Sequence, residues 1–182
     1  MTFSDFTDFQ AFAKFHAGVI EKYKSIVPKE IVDIWEQYGL GSFRNGFMKI
    51  INPDEYREIL DASYARSHVA VPLFVTGMGD VITWEDNDSF MLVSIGRKKI
   101  TGIGMDVNVL LISVADDWFC EECMFGKNYP KAVETYGPLA YDECFGYVPL
   151  VGLGGAEKVK NLKKVKIKEQ LLVITELLGK FE

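Results

Sequence analysis

The chain has no run of eighteen apolar residues, so a membrane-spanning helix is not expected. It opens with Met1, Thr2, Phe3, Ser4 and Asp5, without the positive start and apolar stretch of a secretory signal. Cysteine is scarce, with three in the chain, which argues against a disulfide framework and for reduced thiols. Together these absences give the cytoplasm as the expected compartment. Histidine is scarcer still, with two residues, and no GxSxG, HExxH, GxGxxG or Gly-Lys-Ser/Thr motif is present. Basic residues are also in deficit, 20 Lys and Arg against 26 Asp and Glu, for a net charge of −6. A broad basic face for nucleic acid or anionic lipid is therefore disfavoured, so neither direct nucleic-acid binding nor membrane binding is expected.

What the chain has is apolar and aromatic content, 48% and 13%, enough for a sizeable core in 182 residues. Seven Lys against four Glu from Ala156 onward make the tail basic and leave the rest strongly acidic. Residues 6–23 place Phe6, Phe9, Phe12, Ala13, His16, Val19, Ile20 and Tyr23 on one side of a helical wheel, predicting an amphipathic helix capped near Ser4. Pro28 at a first turn and Ile31, Ile34, Trp35 and Tyr38 as a stripe predict a second helix, ended by Gly39 and Gly41. A short strand over 47–51 and a helix opened by the Asn52 cap with Pro53 follow. Runs at 70–76, 80–84, 90–95 and 99–104, separated by turn residues, predict an antiparallel meander. Residues 108–119 are ambiguous; 128–136 reads as a helix, 145–153 as a buried strand, 156–163 as helical, and 167–178 as a final, well-buried helix. The expected class is α+β, an antiparallel sheet with helices at both chain ends. Two closely packed subdomains, 1–105 and 106–182, are the expected division.

Chemistry-bearing residues are few. Cys120 and Cys123 form a CxxC, but Cys144 and His68 are the only plausible further soft ligands, and the pattern reads as free thiols. Glu121 and Glu122 between the sulfurs are expected to raise the thiol pKa, against a redox role. His16 reads as packed on an apolar helix face, and the glycines of 152–155 as a strand-to-helix turn. The most informative stretch is 80–125, with nine acids against three bases. There Trp84, Glu85, Asp86, Asp116, Asp117, Trp118, Glu121 and Glu122 are the candidate partner-binding face, carboxylates for a cationic cleft with aromatics as anchors. An ordinary solvated acidic face is the competing reading. No catalytic or metal-ligating set is expected.

The segments PKEIVDIWEQYGLGSFRNGFMKIINPDEY and FVTGMGDVITWE resemble the bacterial GAD-like domain. The segment YDECFGYVPLVGLGGAEKVKNLKKVKIKEQLLVITELLGK resembles the C-terminal domain of type VI secretion DNase-immunity proteins, and together these cover most of the chain. The helix opening followed by Asn45-Gly46 is similar, more faintly, to immunity proteins of the SMI1/KNR4 type. The resemblance implies a non-catalytic antidote with no cofactor, whose partner is a cognate toxin, a basic nuclease. The alternative is a small-molecule or nucleotide-binding module, enzymatic or not, around the turn of residues 145–155. A third reading is an assembly subunit that dimerises through its last helix.

Overall fold

The computed structural model describes residues 2–182. The strands β1 (Gln10–Ala13), β2 (Leu40–Phe43), β3 (Met48–Ile50), β4 (Ala70–Thr76), β5 (Val81–Glu85), β6 (Ser89–Ser94) and β7 (Lys99–Gly104) form one sheet in chain order. Each is antiparallel to its neighbours, so the α+β class and the meander hold. A separate hairpin pairs β8 (Glu143–Tyr147) with β9 (Leu162–Lys166). A backbone bond ties it to the β4–β5 turn of the large sheet, from Phe145 N to Gly77 O at 2.7 Å.

The central strands are buried on both faces, which explains why they read as near-continuous apolar runs. Their residues alternate between two cores. Phe74, Ile82, Trp84, Phe90 and Leu92 join the N-terminal aromatics with the helices α2 (Lys29–Tyr38), α4 (Val107–Ala115) and α5 (Tyr129–Tyr136). Val75, Val81 and Val93 meet α3 (Pro53–Ser63) and α6 (Ile167–Leu178) on the other face. Both cores draw side chains from each side of residue 105.

The start signals worked where capping chemistry was explicit. The Asn52 side chain accepts from Asp54 N with Pro53 in the first turn of α3, and Pro28 immediately precedes α2. Other expectations fail. Residues 6–23 are not one helix: a short 3-10 turn and the edge strand β1 precede α1 (Ala17–Tyr23). Phe3, Phe6 and Phe9 cluster with Tyr38 and Phe43, so three-residue spacing served an aromatic cluster and not a helix stripe. His16 is the cap of α1, its Nδ1 accepting from Gly18 N, not a core residue. Pairing of β1 with β2 requires Gly41, where a Cβ would lie 2.4 Å from the Phe9 ring.

Residues 156–163 are not helical; a short 3-10 turn leads into β9, where Leu162 is buried beside the solvated Lys163 and Lys164. The glycines at 152–155 accordingly belong to a hairpin connection between β8 and β9 and not to a strand-to-helix turn. Helix α6 forms as expected but is buried on one side only: Leu171 and Ile174 face the core while Leu172, Val173 and Leu177 are exposed. No helix among the described residues is long and apolar enough to cross a membrane.

Candidate protein-binding face

Helix α4 begins with Asp106, whose carboxylate accepts from the backbone N–H groups of Asn108 and Val109. Its inner face, Val107, Leu110, Leu111 and Val114, is core, and its outer face leaves Val109 and Ile112 in solvent. The helix ends at Ala115, and the Asp116 carboxylate accepts from Phe119 N at 2.9 Å, turning the chain into a wide helical turn at Phe119–Cys123. This break holds Trp118 outward at 66% exposure, beside Asp116 and Asp117. An indole in that position leaves most of its surface in solvent.

The neighbouring wall is the β2–β3 turn, Arg44, Asn45 and Gly46, all with positive φ. Asp8 accepts from Asn45 N and the Tyr129 hydroxyl donates to Asn45 O, which fixes the turn. Arg44 is mostly buried and its Nη2 donates to Asp117 at 2.7 Å, with Cys120 Sγ 4.0 Å away. Between this turn, the Phe119–Cys123 turn and α5 lies a cavity of about 450 Å³. Phe47, Tyr129, Pro130 and Val133 line it with apolar surface, and Arg44, Asp117 and Glu121 bring charge to it. Glu122 pairs loosely with Lys127 at 3.5 Å, whereas Glu121 has no ion-pair or hydrogen-bond partner among the described residues.

The eight expected face residues therefore separate. Asp116, Asp117, Trp118, Glu121 and Glu122 share one surface segment. Asp86 sits at the β5–β6 turn, exposed and paired with Arg66. Trp84 and Glu85 are not surface residues, at 6% and 2% exposure, and this corrects the expectation for both. The Trp84 indole stacks at a tilt on Phe90 and donates to Ile26 O at 3.0 Å. Glu85 accepts from the Thr83 hydroxyl at 2.7 Å and the buried Tyr64 hydroxyl at 3.1 Å, with Arg66 Nε at 3.4 Å. The pair ends a strand whose both faces are covered, and the following acidic loop disguised that.

Arg44, Phe47, Tyr129 and Val133 were not anticipated. An Asn-Gly pair such as Asn45-Gly46 favours a hairpin turn, but nothing local shows that it faces α5, some eighty residues on. The cysteines are free; burial pushes the Cys120 thiol up, with Arg44 opposing, so burial and not the intervening glutamates raises it. Among the described residues no three His, Cys, Asp or Glu side chains converge to hold a metal. The cavity beside the glycine turn is only about 40 Å³ and is lined by neither His68 nor Cys144.

Comparison with known proteins gives two family matches. The model for the GAD-like domain covers residues 3–95, and that for T6SS immunity protein Tdi1, C-terminal, covers residues 107–178. No curated protein matches the chain. The crystal structure of Atu4351 from Agrobacterium tumefaciens has the same fold, with a TM-score of 0.75 over 95% of this chain and 86% of that one, at 17% identity.

Proposed function

Since the chain belongs to the GAD-like domain family and continues into a segment of the T6SS immunity protein Tdi1 C-terminal type, we propose that it is an immunity protein that binds and neutralises a nuclease toxin. The observation that carries the reading, beside the family, is Trp118, an exposed aromatic among Asp116, Asp117, Glu121 and Glu122. A nuclease presents a cationic surface to phosphates, and an acidic surface with an aromatic anchor complements it. The carboxylates speed encounter, while the desolvated indole supplies held contact area. Inhibition then needs occupancy alone and no chemistry from this chain. The proposed compartment is the cytoplasm, where the producing cell's DNA would need protection.

Co-expression tests this. Cells making the toxin encoded beside this gene survive with the native chain and lose protection when Trp118→Ala is combined with Glu121→Lys and Glu122→Lys. Equal survival with a stably folded triple variant would take the function away from this face.

The glycine-turn alternative gains nothing from a 40 Å³ space, which is too small for a nucleotide.

A further inference from the structure

The cavity beside Trp118 has the wrong form for a plain acidic patch. Its volume, about 450 Å³, is in the range of spaces that hold a discrete group, and its wall is apolar: Phe47, Tyr129 and Val133. Charge enters from Arg44, Asp117 and Glu121, but these are not equivalent. Arg44 already satisfies Asp117, at 2.7 Å. Glu121, half-buried on the same lining, has no cation among the described residues.

We propose that this cavity receives one basic side chain, arginine or lysine, from the protein partner, its aliphatic stem on Phe47, Tyr129 and Val133 and its head on Glu121. The inference rests on the immunity reading for the identity of the partner and on the cavity for the chemistry of the contact. Two alternatives fit less well. An apolar side chain would cover Glu121 and leave its carboxylate desolvated without a partner, which is costly. An anion would meet two carboxylates for one guanidinium. A cation with a long apolar stem satisfies both the wall and the unpaired acid, and a basic residue seated in a pocket is a common form of binding hot spot. It also gives specificity that surface charge lacks, because only a side chain of that length reaches Glu121 while burying its stem.

The test uses N-acetyl-L-argininamide as probe against the ¹⁵N-labelled protein, followed by amide chemical shifts. Saturable shifts are expected at Glu121, Gly126, Tyr129 and Val133, with a dissociation constant on the order of millimolar, as suits so small a ligand. Glu121→Gln is expected to weaken binding about tenfold, in line with a charge-assisted contact. Val133→Phe, which fills the wall, is expected to abolish it; Glu121→Gln, half-exposed, keeps the test valid if Val133→Phe does not fold. Absence of saturable shifts overturns the proposal. So does equal binding of N-acetyl-norleucinamide, which would make the cavity an apolar receptor, or preferential binding of N-acetyl-aspartate, which would make Arg44 its reader. Measured with the toxin, both variants should lose at least tenfold in affinity. Tight toxin binding that neither variant alters sinks the cavity and leaves the immunity reading standing. Argininamide binding without toxin binding does the reverse.

Discussion

Removing the Glu85 carboxylate distinguishes a structural acid from an interface acid. In Glu85→Ala the Tyr64 hydroxyl, fully buried, loses its acceptor, and Thr83 keeps only a long 3.5 Å contact to Met91 O. Each buried hydroxyl left unsatisfied costs about 1–3 kcal/mol, and Arg66, exposed, adds little. The expected loss is therefore about 3 kcal/mol. In urea this moves the midpoint down by about 1 M, for a slope of 2–3 kcal/mol/M. Glu85→Gln keeps one acceptor oxygen in place, and its amide can donate to the other hydroxyl, so its cost should be about 1 kcal/mol. The assay is equilibrium urea unfolding of the three proteins by tryptophan fluorescence and circular dichroism. A loss below about 0.5 kcal/mol in Glu85→Ala, the range of ordinary surface changes, would refute the reasoning and return Glu85 to the surface. Equal losses in both variants would show that the hydroxyl contacts are not the cause.

Four other outcomes follow from the same geometry. Trp118→Ala should leave stability within about 0.5 kcal/mol yet cost about 2 kcal/mol or more in toxin affinity, read by thermal melting and calorimetry side by side. Raising sodium chloride from 50 to 500 mM should slow toxin association about tenfold or more in stopped flow with dissociation little changed, because exposed carboxylates act on encounter. Burial raises the Asp80 carboxyl from 3.8 to about 6, against the opposing pull of Arg97. Between those values the folded chain holds a proton that the unfolded chain releases, so this group's contribution to stability falls as pH rises from about 4 to 6. Asp80→Asn should remove that slope, changing the native-minus-variant difference by on the order of 3 kcal/mol across the window; a pH-independent difference would contradict it. Of the three thiols, Cys123 alone should react quickly with a disulfide reagent in the native protein, since Cys120 and Cys144 are buried and burial pushes the Cys144 thiol up to about 12.

The legibility of the fold followed the strength of local chemistry. Pro28, Asn52 with Pro53, and the turns between 70 and 104 each constrain the backbone where they stand, and the elements they imply are present. Residues 6–23 misled because Phe6, Phe9 and Phe12 repeat every three residues, a spacing a coiling aromatic cluster produces as readily as a helix. Phe12 in fact leaves that cluster and stacks on Tyr141 of the C-terminal half, a contact with no local trace. Residues 156–163 misled because lysine's helix preference is a weak signal, and the end of the stretch, Leu162 and Lys163, pairs with β8 instead.

The surface position of the candidate face was partly legible. Asp116 to Glu122 stood out because charge beside an aromatic is unusual in a core, and that segment is at the surface. Trp84 and Glu85 had the same local composition but lie at the end of a strand covered on both faces, and sequence spacing does not report which side of a sheet is covered. The cavity beside Trp118 was illegible because its walls come from β2–β3, the turn after α4, and α5, which only the assembled fold brings together.

The most direct measurement is a calorimetric titration of the purified protein with the proposed nuclease toxin, sought as the product of the gene beside its own, with DNA cleavage assayed in the same samples. The account predicts stoichiometric binding, with cleavage disappearing in proportion to the complex formed and Trp118→Ala shifting both curves together. Full cleavage at saturating protein, or no heat of binding at micromolar concentrations, would contradict the immunity reading.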